Sequence, residues 1–238
     1  MSATEDHGPV RPIATTSEAG PGPLDATASP EEVRRAYNAF AAVYDMWGRL
    51  AESRPRQRAL ELAAISDGDG VLEVAVGTGL AFYQIVKANP HGHNVGIDIA
   101  ERMLARTRQR LRSLRTGRYQ LLQAGASQIP VADNTVDVLL NGYMFDLIPF
   151  ADMGRILAEF RRVLKPDGRL VLVDMTPGES LVSSVFDRLA CLSPRLMGGC
   201  RSVQMTGILS ANGFQVLVRE YMEQLFFPSE VILAKKRD

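Results

Sequence analysis

The residues with the clearest chemical potential form a short acidic and glycine-rich stretch. Residues 71–76 are an apolar run interrupted by Glu73, and Gly77 and Gly79 follow before a helical pattern begins near Leu80. Glycine has no Cβ, so a ligand can approach the backbone closely at such a turn. The N–H groups that open the following helix can bind an anionic or polar ligand end. The stretch therefore indicates either a nucleotide-like cofactor site or an ordinary turn from strand to helix.

Two further residues separate the kinds of nucleotide site. The dinucleotide fingerprint G-x-G-x-x-G places a third glycine where the helix packs on the strand, and Phe82 occupies that position here. A nicotinamide cofactor is therefore disfavoured. A second predicted strand, residues 94–98, ends on Asp98, whose carboxylate can accept hydrogen bonds from both hydroxyls of a ribose. We expect Asp98 to face a ligand cleft and not the core, and we expect the cleft to hold an adenosine.

At these residues the chain resembles the class I S-adenosylmethionine-dependent methyltransferases. The first motif of that family reads acid-x-Gly-x-Gly-x-Gly, and Ala75 stands at its first glycine in this sequence. Alanine still leaves room for the methionine end of the cofactor. The resemblance implies that Glu73, Ala75, Gly77 and Gly79 contact S-adenosyl-L-methionine.

The other motifs follow in the family's order. Residues 97–104 resemble the second motif, which implies Asp98 as the ribose ligand and Ile99 and Met103 as neighbours of the adenine. Residues 124–130 resemble the segment at the adenine edge, although Gly125 stands where the family usually has aspartate. The resemblance then implies contacts from Ala126 and Ser127, and it places Asn141, at the end of the fourth strand, near the methionine moiety. Residues 163–172 resemble the turn and strand that follow the fourth helix.

The segment before the first motif resembles a narrower group. Residues 40–45 are similar to the Tyr-Asp lid of the ubiquinone and menaquinone biosynthesis C-methyltransferases, which implies that Tyr44 closes over the bound cofactor. The aromatic residues around it are more typical of the core face of a helix than of a cofactor site. Residues 1–28 have the composition of a disordered extension, so we predict a methyltransferase domain over residues 29–238 with a helical lid at its start.

The methyl acceptor is less defined by the sequence than the cofactor. The resemblance implies a small, partly apolar acceptor such as a quinol or another aromatic ring carbon, with O- or N-methylation of a small metabolite or a phospholipid amine as alternatives. A non-catalytic protein that binds cofactor or a partner is an alternative of another class. Tyr143 and Asp146 are predicted to face the transferred methyl, although Asp146 is more typical of a cap or turn residue ahead of the helix at 150–164. We assign no general base, so the catalytic residues stay unknown.

Composition limits the partners. Lysine and arginine together number 27, as do aspartate and glutamate, so nothing indicates nucleic acid or an anionic membrane as an obligatory partner. Two cysteines, Cys191 and Cys200, are too few for a disulfide framework and suit a reduced, cytoplasmic protein. His91 and His93 lie in a loop without further ligands, so we predict no metal site. No apolar run is long enough to span a membrane, although contact with a lipophilic substrate is compatible with the sequence. The oligomeric state is not indicated.

The hydrophobic pattern alternates between the period of strands and that of helices. Such alternation predicts an α/β fold, a Rossmann-like, doubly wound and mostly parallel sheet with helices on both faces. Two late strands without a helix between them predict an antiparallel strand at the C-terminal edge. The predicted strands are 70–76, 94–98, 118–123, 134–141, 168–175, 214–222 and 229–235, and the predicted helices are 33–50, 54–65, 79–88, 100–114, 150–164, 180–191 and 203–212.

Overall fold

The computed structural model describes residues 52–114, 117–178, 201–225 and 227–237. Strands and helices alternate through most of this part of the chain. The helices are α1 (Ser53–Ala63), α2 (Leu80–Ala88), α3 (Glu101–Leu111), α4 (Phe150–Val163) and α5 (Met205–Ala211), with a 3₁₀ turn at Phe145–Leu147. The strands are β1 (Gly70–Val74), β2 (His93–Asp98), β3 (Tyr119–Gln123), β4 (Val136–Gly142), β5 (Leu164–Met175), β6 (Phe214–Gln224) and β7 (Phe227–Lys236).

The strands form one seven-stranded sheet in the order β3-β2-β1-β4-β5-β7-β6. The first five strands of this order are parallel, whereas β7 is antiparallel to both β5 and β6. This arrangement confirms the predicted Rossmann-like fold with an antiparallel region at its C-terminal edge. The reversed strand β7 lies between β5 and β6, so β6 is the outermost strand at this edge of the sheet.

Alternate residues of the central strands face two separate cores. Leu72, Val74 and Leu139 pack with α4 and α5 on one face of the sheet. Val71 and Val138 pack with residues of α1, α2 and α3 on the other. Both faces of a parallel sheet are normally covered in this way, which is why its strands are apolar on both sides. The predicted helices on both faces are therefore confirmed.

One strand begins earlier than predicted. β5 starts at Leu164 and not at residue 168, because Leu164 pairs with Val136 before the ladder shifts its register. The other predicted elements that fall within the described residues differ from the observed ones by a few residues at their ends.

Helix α2 contacts β2 through an unusual pair of residues. Phe82 is fully buried, and a Cβ added at Gly96 of β2 would lie 3.1 Å from its Cζ and 2.8 Å from Cγ1 of Val76. The glycine that allows close packing of helix and strand is therefore in the strand, opposite the bulky side chain of the helix.

The strand register brings the predicted site residues to one edge of the sheet. Val74 lies opposite Ile97 of β2 and Asn141 of β4, and Asp98 is the last residue of β2. From β1 the chain winds outwards through β2 to β3, and it then crosses back to β4 on the other side of β1. The ends of β1 and β4 therefore mark the switch point, where open α/β sheets bind ligands.

Several predictions fall on residues outside the described ranges. They are the tail at residues 1–28, the helix at 33–50 with Tyr44, the helix at 180–191 and both cysteines. The domain boundary at residue 29 stays a prediction. Among the helices that the structure describes, none is both long and apolar enough to cross a membrane.

Candidate active site

A cavity of about 300 Å³ opens at the C-terminal ends of β1, β2 and β4. Its size is at the lower end of the range typical of small-molecule sites. The structure brings almost all of the described candidate residues into its wall; those that line it are Glu73, Ala75, Gly77, Asp98, Ile99, Met103, Ala126, Ser127 and Asn141. Gly79 does not line the cavity.

The two glycines of the loop after β1 have different surroundings. Both adopt positive φ, +54° at Gly77 and +78° at Gly79. A Cβ added at Gly77 would meet nothing within 4 Å, so the backbone there is open to the cavity. A Cβ at Gly79 would lie 2.6 Å from Cγ2 of Thr107 in α3. Gly79 therefore serves the packing of the loop on α3, and Gly77 is the position at which a ligand can reach the backbone.

Ala75 keeps the backbone conformation that glycine would adopt at this position of the motif. Its φ is +60°, in the left-handed region that a Cβ disfavours by about 1–2 kcal/mol. The loop geometry is therefore preserved at a cost in strain, and the Ala75 side chain stays small enough to leave the cavity open.

Asp98 is more deeply buried than the sequence indicated. Its side chain is only 8% exposed, because Oδ2 accepts a hydrogen bond from Gly77 N at 2.9 Å and Oδ1 accepts one from Ala100 N at 2.8 Å. Burial raises the pKa of Asp98, and these backbone donors oppose the rise. Asp98 thus lines the cavity, as expected, but the expectation that it is not a core residue is wrong, because its carboxylate is buried and binds the loop.

Glu73 and Asn141 each carry a buried oxygen without a hydrogen-bond donor in the described part of the chain. The atoms are Glu73 Oε2 and Asn141 Oδ1, while Asn141 Nδ2 donates to the Val74 carbonyl at 2.9 Å. Burial raises the pKa of Glu73 to about 8, an effect that Arg56 opposes and Asp98 reinforces. Unsatisfied buried acceptors are costly, so two of them on residues that line one cavity indicate a ligand with hydrogen-bond donors.

The wall near Asp98 is suited to a flat ring. Met103 is buried against Ala100, and Ile99 lies beside Gly125, whose missing Cβ would be 3.8 Å from Ile99 Cγ2. Ala126 and Ser127 continue this wall. The segment at Gly125 is thus apolar and open where the family usually has an aspartate.

The cavity also contains residues that the sequence analysis missed. Glu52 and Arg56 reach it from the start of α1, and an apolar group completes the wall: Met144, Leu147, Ile148, Pro149 and Ile156. No local pattern marks these positions, because their placement depends on how α1 and α4 pack on the sheet. Tyr143 lines the cavity as predicted, whereas Asp146 does not and is buried in the 3₁₀ turn.

The described residues contain no group of histidine, cysteine, aspartate and glutamate side chains that could hold a metal ion. His91 instead pairs through Nδ1 with Asp67 Oδ2 at 2.7 Å on an exposed loop.

Replacement of Ala75 by glycine tests the strain in the loop. We expect Ala75→Gly to leave Tm unchanged or to raise it by up to about 4 °C, because relief of the left-handed strain outweighs the greater backbone entropy of unfolded glycine. Ala100→Gly is the matched control, since Ala100 also lines the cavity but has φ of −99°. It should lower Tm. Thermal unfolding measures Tm of both variants. Equal decreases of Tm would contradict the claim that Ala75 is strained.

Comparisons with known proteins agree with this geometry. A family model described as a methyltransferase domain matches residues 71–168. A demethylmenaquinone methyltransferase of Listeria welshimeri is 28% identical over 169 residues, which are 66% of this chain and 70% of the relative. The ubiquinone/menaquinone biosynthesis C-methyltransferase UbiE of Syntrophotalea carbinolica is 30% identical over 161 residues, which are 66% of this chain and 67% of the relative.

Solved structures share the fold at lower identity. The 1,6-didemethyltoxoflavin-N1-methyltransferase of Burkholderia thailandensis matches with a TM-score of 0.70 and 16% identity, over 91% of this chain and 94% of that one. The magnesium protoporphyrin IX methyltransferase of Synechocystis with bound S-adenosylhomocysteine matches with a TM-score of 0.65 and 17% identity, over 86% and 99%. With the family model, the sequence relatives and the loop geometry in agreement, this chain belongs to the class I S-adenosylmethionine-dependent methyltransferases and is an enzyme whose cofactor is S-adenosylmethionine.

Proposed function

We propose that this methyltransferase acts on a ring carbon of a small, partly apolar quinol. The observation that carries the proposal is the composition of the cavity, which has polar groups at the ends of β1 and β2 and an apolar wall after β4. The names of the sequence relatives, which act in menaquinone and ubiquinone biosynthesis, support the same acceptor class.

The polar side of the cavity suits each part of the cofactor. In this proposal Asp98 accepts hydrogen bonds from the ribose hydroxyls, because its carboxylate lies at the end of β2 in the cavity wall. The unsatisfied oxygens of Glu73 and Asn141 accept hydrogen bonds from the methionine ammonium. The positive charge of Arg56 lowers the pKa of Glu73, and in this proposal Arg56 binds the methionine carboxylate of the cofactor.

The remaining contacts are with the adenine and the backbone. Ile99 and Met103 pack against the adenine ring, and Ala126 and Ser127 lie along its edge. Ala75 and Gly77 allow the methionine end to approach the loop, and Gly79 supports that loop from behind. Tyr44 keeps its proposed role in a lid, and the protein is proposed to act in the cytoplasm.

The apolar side of the cavity is the place proposed for the acceptor. Met144, Leu147 and Ile148 follow shortly after β4 and line the cavity with apolar side chains. A ring or a prenyl tail that binds there displaces water from these side chains, which favours binding. Methyl transfer from a sulfonium is an in-line displacement, so the main task of these residues is to align the acceptor with the methyl and exclude water.

An amine acceptor is the second candidate. Glu52 places a carboxylate in the same cavity, and a carboxylate there suits a protonated amine of a small metabolite or a lipid. Methylation of a hydroxyl oxygen of the quinol is the third candidate reaction, and the product analysis described next distinguishes it from methylation of carbon or nitrogen.

The first experiment identifies cofactor and acceptor together. Calorimetry should detect binding of S-adenosylmethionine and of S-adenosylhomocysteine but no binding of NAD, because Phe82 stands where the dinucleotide fingerprint has its third glycine. Labelled cofactor is then offered with reduced demethylmenaquinone, reduced demethylated ubiquinone precursors, simple phenols, amines and phospholipids, and the product is analysed for the atom methylated. Methylation of amines or lipids alone would overturn the quinol proposal.

Substitution of Asp98 tests the ribose contact. A hydrogen bond to a charged group contributes about 1.5–3 kcal/mol, so Asp98→Ala should weaken cofactor affinity roughly ten- to a hundredfold. It should also lower Tm, because it leaves the amides of Gly77 and Ala100 without acceptors. Glu101→Ala is the control, since Glu101 is exposed and pairs with Arg108 at 2.6 Å. A loss of Tm without a loss of affinity would make Asp98 purely structural.

The raised pKa of Glu73 predicts that cofactor binding releases a proton. With its pKa raised to about 8 by burial, Glu73 is mostly protonated at pH 7 in the empty site. Contact with an ammonium favours the ionised form, which lowers the pKa of Glu73, so affinity should rise with pH up to about 8 and level off above it. Calorimetry at pH 7 in two buffers of different ionisation enthalpy measures the release. Glu73→Gln should reduce the release to the smaller part that Glu52 contributes, and an undiminished release in that variant would be contrary to the assignment.

A further inference from the structure

Glu52 is a carboxylate in the cavity wall that the assigned cofactor contacts leave unused. It lies immediately before α1, at the position where a side chain usually caps the helix, yet it makes no capping hydrogen bond. Its side chain lines the cavity together with Tyr143. Glu52 is therefore available to a molecule bound between α1 and the end of β4.

The chain around Glu52 is held in place by the last strands. Gln224 of β6 accepts a hydrogen bond from Arg54 N through Oε1 at 2.9 Å and donates one to Ser53 Oγ through Nε2 at 2.9 Å. One turn further along α1, Arg58 forms a two-pronged pair with Glu220 of β6, both contacts at 2.7 Å. The first turn of α1 is thus fixed on the sheet, as a catalytic group requires.

The surroundings of Glu52 suit a proton acceptor near neutral pH. Burial raises the pKa of Glu52 to about 7; Arg56 of α1 opposes the rise, and Asp146 of the 3₁₀ turn adds to it. The negative charge of Glu52 in turn raises the pKa of Tyr143, the residue directly after β4.

Tyr143 itself is a poor base. Burial raises its pKa well above 10, and its hydroxyl shares a hydrogen bond of 2.9 Å with Ser229 Oγ. Glu73 is occupied by the cofactor ammonium in the proposed function. Among these groups, Glu52 combines a place in the cavity wall, within reach of the charge of Asp146 in the turn after β4, with an ionised form at physiological pH.

We propose that Glu52 is a catalytic residue, the general base that removes a hydroxyl proton from the quinol acceptor during methyl transfer. The inference rests on the proposed function, because it needs an acceptor with an ionisable hydroxyl. The O–H proton passes to the Glu52 carboxylate, and the oxygen electron pair moves into the ring. The ring carbon forms its bond to the methyl, and the pair of the breaking C–S bond stays on sulfur as S-adenosylhomocysteine. The keto form of the product then moves its ring proton to oxygen, and Glu52 loses its proton to water.

The test compares Glu52→Gln with the wild type on reduced demethylmenaquinone at saturating S-adenosylmethionine. Because a positioned base contributes about 10²- to 10⁴-fold, kcat should fall by that factor while affinity for S-adenosylhomocysteine is kept. In the wild type kcat should rise with pH and level off by about pH 7, because the base acts when ionised and the positive charge of the bound cofactor lowers the pKa of about 7 that Glu52 has in the empty site. This rise should vanish in the variant. Glu61→Gln is the control, because Glu61 is an exposed residue of the same helix that pairs with Arg58 at 3.0 Å.

Each other outcome has a distinct meaning. An unchanged kcat and pH profile in Glu52→Gln overturns the proposal that Glu52 is the general base. A variant that changes only KM also overturns it, because Glu52 would then only bind the acceptor. Loss of S-adenosylhomocysteine affinity would make Glu52 a cofactor ligand and equally overturns it. A wild-type protein that binds the cofactor but methylates no quinol overturns the proposed function first, and the role of Glu52 falls with it.

Discussion

The carboxylate of Asp98 holds together the loop on which the site is built. It joins the end of β2 to the loop after β1 by accepting hydrogen bonds from Gly77 N and Ala100 N. From the other side Thr107 Oγ1 donates to the Gly77 carbonyl at 2.9 Å. Burying a carboxylate is costly, and charge-assisted bonds from backbone N–H groups offset that cost. The proposed ribose acceptor and the loop that admits the methionine end are therefore one rigid unit.

Much of this unit was predictable from the sequence because its parts are contiguous. Glu73 to Gly79 is a single strand-to-helix turn, and an acid at the end of the next strand must lie at the same edge of a parallel sheet. The depth of Asp98 was not predictable, because the sequence does not reveal that both oxygens are taken by loop amides. Glu52 and Arg56 were missed for a different reason. Their place in the cavity depends on the packing of α1 against β5 and β7, far away in the chain.

The missing third glycine illustrates how one packing requirement can be met from either side. In a dinucleotide site the glycine is in the helix and lets it approach the strand. Here the helix carries Phe82, and Gly96 in β2 gives the ring its space. The sequence disfavours a nicotinamide cofactor because this glycine is absent from α2. The structure adds a cause, since Phe82 fills the volume that a glycine would leave and ties α2 to β2 as part of the core.

The raised pKa values of Glu73 and Glu52 follow from one constraint on the empty cavity. Both glutamates line one cavity, where low polarity makes the charged form of each costly, and the guanidinium of Arg56 offsets this cost only in part. Protonation near neutral pH relieves that cost while the cavity is empty. A cofactor that brings an ammonium and a sulfonium reverses the balance, because positive charge nearby favours carboxylate ions. Under the proposed function, cofactor binding thus ionises the ammonium ligand Glu73 and shifts Glu52 towards the ionised form that can act as a base. The base would then be most active in the complex that already holds a methyl group to transfer.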